Sequence, residues 1–203
     1  METIRAVALN CSLKSGDADS STDVLLREVL DALRARGVSA GDPLRLVDRD
    51  IKAGVTSDEG DGDEWPAVRS QILDAQILVL GTPIWMGQPS SVAKRVLERL
   101  DAFLGEEDDR GRMISYDRVA IVAVVGNEDG AHHVSAELYQ GLNDVGFTIP
   151  AGGVTYWVGE AMGSVDYKDL SPKPDEVTST TATVARNAAH LARLLAKDGY
   201  PAE

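Results

Sequence analysis

Apolar residues run almost without interruption through Ile4, Ala6, Val7, Ala8 and Leu9, and the run stops at Asn10 before a stretch rich in Ser, Gly and Asp. A short continuous run of this kind suits a strand buried on both faces. From Thr22 the period changes. Val24, Leu25, Val29, Leu30 and Leu33 recur at helical spacing, with Asp23 and Glu28 early and Arg34, Arg36 and Gly37 late, which is the polarity a helix prefers. The alternation then repeats. Leu44–Val47 reads as a strand, Trp65–Leu73 as a helix opened by Pro66, Ile77–Leu80 as an apolar strand ending at Gly81, and Ser90–Leu104 as a helix closed by Gly105. Val119–Val125 is the longest apolar run and predicts a central strand. Val134–Val145 is helical in pattern, Phe147–Tyr156 is a last strand region containing Pro150 and Gly152-Gly153, and Thr178–Lys197 is an alanine-rich helix. Five strands alternating with five helices predict a parallel sheet covered on both faces, because right-handed crossovers place a helix between parallel neighbours.

Two stretches break the rhythm, an acidic loop over Arg49–Glu64 and a second loop over Gly159–Pro174. Loops this long inside a compact domain are commonly functional. No internal repeat or linker divides the chain, so residues 1–203 are read as one domain.

Open parallel sheets bind ligands at the carboxyl ends of their strands, which selects three loops. The first, Cys11–Thr22, has neither a G-x-G-x-x-G nor a G-x-x-x-x-G-K-[ST] pattern, so the dinucleotide and triphosphate signatures are absent. It does place Ser12, Lys14, Ser15, Ser20, Ser21 and Thr22 at the mouth of a helix. Hydroxyls, free amides and the positive end of a helix dipole suit a phosphate monoester; the plainer alternative is that Ser21 caps the helix and the others form a polar turn. The second loop, Thr82–Ser90, presents Trp85 and Gly87 where an aromatic side chain can cover a flat ring, or pack on its own helix. The third, Gly126–His133, offers amide groups suited to the polar edge of a heterocycle. Its adjacent histidines, His132 and His133, point in different directions on a helix and do not make a metal site.

Composition narrows the field further. Asp and Glu total 33 against 20 Lys and Arg, a net charge of −13, so a phosphate backbone would be repelled and nucleic acid is not an expected partner. No window is apolar enough to span a bilayer and Met1–Asn10 reads as a strand, so a cytoplasmic location is expected. A single cysteine, Cys11, rules out an intrachain disulfide framework. A serine hydrolase using Ser12 or Ser90 is disfavoured because G-x-S-x-G is missing, and the acidic run at 57–64 does not follow the calcium-loop pattern.

The segments N-C-S-L-K…S-S-T, T-P-I-W-M-G-Q-P-S-S and G-N-E-D-G, placed after the first, third and fourth strands, resemble the flavodoxin-like NAD(P)H-dependent FMN reductase family over Ile4–Leu195. Where members of that family usually begin Gly-Ser-Pro-Arg, this chain has Cys11-Ser12-Leu13-Lys14. The resemblance implies a flavodoxin-like three-layer sandwich with strand order 2-1-3-4-5. It implies FMN with its phosphate on Ser12, Lys14, Ser20, Ser21 and Thr22. Thr82, Pro83, Ile84, Trp85, Met86 and Gly87 would line the isoalloxazine, and Gly126, Asn127, Glu128, Asp129 and Gly130 would meet its pyrimidine edge. Trp85 and His132 are candidates to face the ring, with no side chain required as a nucleophile or base. The activity implied is hydride transfer from NADH or NADPH through FMN to a small acceptor such as a quinone or free flavin; the alternative, which the negative charge also fits, is a flavodoxin-type electron carrier. Family members commonly form homodimers or homotetramers, to which Trp157, Met162 and Tyr167 would lend an apolar contact unless they cover their own core.

Overall fold

A computed structural model describes residues 3–202. The elements in chain order are β1 (Arg5–Asn10), α1 (Ser21–Arg34), β2 (Ser39–Ala40), β3 (Leu44–Arg45), α2 (Trp65–Leu73), β4 (Ile77–Trp85), β5 (Gln88–Pro89), α3 (Ser91–Leu100), β6 (Val119–Gly126), α4 (Ala131–Asp144), β7 (Val154–Val158) and α5 (Asp175–Lys197). Met1 and Glu2 of the predicted first strand lie outside the described residues.

The main sheet runs β2-β1-β4-β6-β7, all parallel, with β3 also beside β1. This is the 2-1-3-4-5 order, with the second position split. β2 pairs with Arg5 and Ala6, β3 with Leu9 and Asn10, and Gly41-Asp42-Pro43 interrupts the edge between them. Proline cannot donate to a ladder, so a break there costs little. Leu46 and Val47, predicted as strand, turn into a short 3-10 helix.

The other departures have local causes. β4 continues past Gly81 to Trp85 and folds back on β5 as a hairpin, with Met86 (φ 53°) and Gly87 (φ 73°) as its two turn residues, the positive-φ pair that a tight hairpin requires. α3 ends at Leu100 and a 3-10 turn takes the chain to Gly105. Of the predicted last strand, Phe147–Pro150 contributes only a bridge from Thr148 to Val119, and the regular strand starts at Val154, after the Gly152 turn (φ 61°). α4 begins earlier than its apolar pattern, at Ala131, and α5 at Asp175, where Asp175 and Glu176 favour the positive end of the helix.

Strand residues alternate between two cores. Leu9, Leu78, Leu80, Val122 and Val124 face the α2–α4 side, while Ala6, Ala8, Val79, Ile121 and Ala123 face α1 and α5. Gly81 sits where α1 lies flat on β4: a Cβ there would stand 2.7 Å from carbons of Leu26. Only glycine leaves room for this approach.

The acidic loop of residues 49–64 is pinned from within. The Asp63 carboxylate and the Arg99 guanidinium, both with no solvent-accessible side-chain surface, meet at 2.7 Å, and Arg99 also donates to the Lys52 carbonyl at 3.0 Å. Burial alone would raise the Asp63 carboxyl. Hydrogen bonds from the Glu59, Trp65 and Lys52 amides and from Arg99 outweigh it and hold it down, from 3.8 to about 2. Because the folded value is depressed, this contribution to stability is present above pH ~4 and fades as pH falls towards ~2. Arg99→Ala strands a buried carboxylate, and denaturant unfolding at neutral pH should show a loss of about 3–5 kcal/mol. Asp63→Asn should make the acid limb of the stability curve shallower between pH ~4 and ~2; an unchanged limb would assign that limb to other carboxylates.

Candidate functional site: a cleft at the carboxyl ends of the strands

The parallel register aligns Asn10, Gly81, Ala123 and Thr155 across the sheet. Beyond this row the three loops diverge and bound a cleft of about 390 Å³, within the size range of small-molecule sites.

One end of the cleft is the start of α1. Ser20, not Ser21, caps the helix: its hydroxyl accepts from the Asp23 N–H at 3.3 Å and its carbonyl from the Val24 N–H at 3.1 Å. The amides of Ser21 and Thr22 are left open to a ligand, as the first turn of a helix provides. The Ser21 hydroxyl accepts from the Lys168 N–H at 3.2 Å and keeps its own proton to donate. Ser12 gives its N–H to Asn10 Oδ1 at 3.0 Å, but its hydroxyl is buried in the cleft wall without a partner among the described residues. A buried hydroxyl left unpaired is costly, so a polar ligand atom here would complete it. Ser12, Lys14, Ser20, Ser21 and Thr22 all line this end. The loop that carries them is tied from outside, as Arg45 donates to the Lys14 and Ala18 carbonyls at 3.0 and 2.9 Å and Gly16 donates to Asp48 at 2.8 Å. Asp23, the one acid in the first turn of α1, is engaged by Arg27 at 2.7 Å, Asn10 at 3.1 Å and Arg45 at 3.7 Å. Its charge is thereby offset beside the open amides of α1. Open amides, three hydroxyls and a lysine form the donor set of a phosphate monoester.

The apolar middle of the cleft comes from Pro83, Ile84 and Trp85 on β4 and from Val125 and Trp157 on the neighbouring strands. Trp85 is 55% exposed and faces open space. Thr82, placed by the sequence on the ring-lining loop, does not line the cleft. It is fully buried, accepts the Ser90 N–H at 3.0 Å and donates to the Pro83 carbonyl at 2.9 Å. Met86 and Gly87 form the hairpin tip outside the lining, and Asp129 and Gly130 also lie outside it. These residues join the second loop to the third. Gly87 donates to Glu128 at 3.2 Å, and a Cβ on Gly130, itself at φ 112°, would come within 2.9 Å of the Gly87 Cα. His132 turns away to the Tyr156 hydroxyl at 3.2 Å and His133 to Gln88, so neither faces the cleft.

Gly126, Asn127 and Glu128 do line the far end. Asn127 donates its Nδ2 to Asp166 at 3.1 Å and to the Gly163 carbonyl at 3.4 Å, which orients Oδ1 as an acceptor; that oxygen is buried and unpartnered. It is left as an acceptor for a donor group. Its partner Asp166 belongs to a wall the sequence reading did not assign to the site, formed by Trp157, Met162, Asp166 and Tyr167. The Trp157 and Tyr167 rings meet at 5.5 Å and 47°, and the Tyr167 hydroxyl donates to Glu28. Lys173 stands 4.7 Å from the Tyr167 ring centre and donates to the Tyr167 carbonyl at 2.7 Å. The Met162 N–H to the Asn127 carbonyl, at 3.1 Å, joins this wall to the third loop. The apolar character of Trp157, Met162 and Tyr167 was the signal available, and it did not distinguish a cleft wall from a core or subunit contact.

Cys11 is buried, and burial drives its thiol well above the usual range, so it supplies no thiolate. Ser90 is occupied, its hydroxyl donating to the Cys11 carbonyl at 2.6 Å and accepting from the Ala93 N–H at 3.1 Å. Neither Cys11 nor Ser90 is therefore poised as a nucleophile. Thr22→Ala and Ser12→Ala should each weaken a flavin 5′-phosphate by about 1–3 kcal/mol and riboflavin much less, as titrated by flavin fluorescence. Equal losses on the two ligands would make these hydroxyls structural only. Gly130→Ala should separate the second and third loops and weaken both ligands alike.

The sequence model of the family described as NADPH-dependent FMN reductase matches residues 4–163. An 8-demethyl-8-aminoriboflavin-5′-phosphate synthase of Streptomyces davaonensis is 30% identical, over 97% of this chain and 80% of its own length. A Mycobacterium bovis protein named divalent metal cation transporter MntH is 38% identical over 95% of this chain, which spans only 29% of that protein. Among solved structures, RosB with bound 8-demethyl-8-formylriboflavin-5′-phosphate superposes with a TM-score of 0.89 at 29% identity, covering 98% of this chain and 82% of that one. The apo NADH:FMN oxidoreductase EMOB shares the fold, with a TM-score of 0.66 at 19% identity over 94% and 89% of the two chains. With a donor-rich end, an apolar middle and a polar far edge built on this sheet, and with the family pattern running through all three loops, the chain belongs to the NADPH-dependent FMN reductase family, whose cofactor is FMN.

Proposed function

We propose that the cleft holds FMN with its phosphate at the start of α1, and that the protein passes reducing equivalents from NADPH or NADH to a small acceptor such as a quinone or free flavin. The observation that carries this reading is the pairing of a donor set at one end, centred on the buried Ser12 hydroxyl that has no partner among the described residues, with an apolar middle beside Trp85. Bound FMN would take a hydride from the reduced nicotinamide and return two electrons to the acceptor. The protein contributes position. Ser12, Ser21, Thr22 and the free amides of α1 would fix the phosphate; Pro83, Ile84 and Trp157 would hold the ring; Asn127 Oδ1 would accept from the ring N–H, kept in that orientation by Asp166. Trp85, over half exposed at the rim, would guide a flat nicotinamide or quinone onto the open face.

Family membership favours this enzyme reading over an electron carrier; the archaeal flavodoxin among the structural matches is 8% identical and shares the fold alone. A second reading has its own support in the extent of likeness to RosB and to the Streptomyces synthase. In that reading the flavin 5′-phosphate in the same cleft is itself the substrate and leaves with an altered ring. Assembly into homodimers, with a partner completing the open side of the cleft, is part of the proposal, because Leu13, Trp85 and Met162 expose apolar surface around it.

Anaerobic stopped-flow mixing of the FMN-loaded protein with NADPH and NADH should show rapid two-electron bleaching, and steady-state turnover with a quinone should be ping-pong. Trp85→Ala should lower turnover about tenfold or more through lost positioning, with the unfolding midpoint nearly unchanged. No bleaching, together with a change in mass of the flavin recovered after aerobic incubation, would replace the reductase reading with flavin modification.

A further inference from the structure

The two ends of the cleft differ in charge. The segments bounding the far end, residues 82–91, 126–130 and 159–166, hold four carboxylates, Glu128, Asp129, Glu160 and Asp166, and no lysine or arginine. Two backbone bonds set the acidic segments side by side: Gly159 donates to the Gly126 carbonyl at 2.9 Å and Met162 to the Asn127 carbonyl at 3.1 Å. Glu128 and Asp166 line the cleft itself, and the one basic residue in its lining, Lys14, belongs to the α1 end. Asp166 is 42% exposed. Lys168 comes within 3.8 Å of it but is held more closely by Asp169, at 2.9 Å. These acids border a cleft that already calls for a ligand, because Ser12, only 3% exposed, keeps an unpartnered hydroxyl on its wall and Asn127 Oδ1 is a buried acceptor without a donor. The exposed indole of Trp85 lines the same cleft. An indole beside carboxylates attracts a flat cation and disfavours an anion.

We propose that the electron acceptor taken at the open side of this cleft is a flat aromatic cation of the phenothiazinium or phenazinium type, in preference to an anion of the same size. The inference rests on the reductase reading and adds to it the class of acceptor. Charge then changes in the useful direction during transfer. A phenothiazinium takes two electrons and one proton from the neutral reduced flavin, whose second proton passes to water, and so becomes an uncharged product. The carboxylates that drew the oxidised acceptor in no longer hold the reduced one, which favours its release.

Calorimetric titration of the oxidised, FMN-loaded protein with methylene blue, a phenothiazinium cation, and with indigo disulfonate, a flat dianion, reads this preference without turnover. At low salt the wild type should bind the cation about tenfold or more tightly than the dianion, and added salt should erode the difference. Glu128→Gln combined with Asp166→Asn should weaken methylene blue by about tenfold. Trp85→Leu should weaken it by about threefold, and Trp85→Tyr should weaken it less. Both carboxylate replacements keep an oxygen to accept from Gly87 and from Asn127, and FMN uptake confirms that the variant is folded. If it does not take up FMN, Asp129→Asn combined with Glu160→Gln decides. Asp109→Asn combined with Asp144→Asn removes the same charge at or beyond the carboxyl ends of α3 and α4, and should leave methylene blue affinity unchanged. Equal binding of the two dyes, or an equal loss from this distant pair, would overturn the inference, while bleaching by NADPH or NADH would leave the reductase reading standing. If neither nicotinamide bleaches the flavin, the reductase reading fails and dithionite-reduced protein still decides the inference. Reoxidation by methylene blue that the Glu128 and Asp166 replacements slow would sustain it, and reoxidation they leave unchanged would overturn it.

Discussion

The site depends first on the register of three buried parallel strands. β1, β4 and β6 align Asn10, Gly81 and Ala123 in one row, and the groups assigned to the cleft lie on the segments that leave that row or its continuation at Thr155 on β7. A slip of one residue would exchange the two faces of a strand and put Leu78 and Leu80 where Val79 belongs. The register is held by side chains as well as by the ladder. Asn10 sets the first loop through Ser12 and Asp23, and Gly81 lets Leu26 of α1 press against β4, which aims the start of α1 at the cleft. Packing thereby becomes electrostatics: an apolar contact on one face fixes where the positive end of a helix points.

The strands and helices were legible because each carries one period. Ile77–Leu80 and Val119–Val125 are buried on both sides and read as continuous apolar runs; α1 and α5 show the helical repeat. The hydroxyl cluster at the start of α1 was also legible, since Ser12, Ser21 and Thr22 gather locally between a strand and a helix. What local reading does not resolve is which polar residue faces inward. Thr82 looks like a cleft residue beside Pro83, yet alternation along β4 turns it into the protein, where it meets Ser90. Met86 looks like a ring cover, but the hairpin lifts it into solvent. The wall of Trp157, Asp166 and Tyr167 was missed for another reason. It becomes a wall only through contacts distant in sequence, Tyr167 to Glu28 and Lys168 to Ser21, which no spacing rule announces.

The late loop closes the cleft from both ends at once. Through Lys168 it touches the helix proposed to hold the phosphate, and through Asp166 it orients Asn127 at the far edge. Much of it, residues 164–174, lies beyond the part of the chain that the family pattern covers, residues 4–163, while the likeness to RosB extends over 98% of the chain. The shared family core therefore supplies the sheet, the three loops, Trp157 and Met162, and the residues beyond it add Asp166 and Tyr167 to the wall. Among the described residues no helix is long and apolar enough to cross a membrane.

The central claim is that a flavin phosphate sits at the start of α1, enclosed by Ser12, Ser21 and Thr22. Phosphorus NMR of the FMN-loaded protein tests it most directly, because the dianion of a free phosphate monoester takes up a proton to become the monoanion near pH ~6. The account predicts that the bound resonance holds its dianion position from pH ~8 down through pH ~5, and that Thr22→Ala moves it. A bound resonance that titrates like free FMN and ignores that substitution would place the phosphate in solvent and contradict the account.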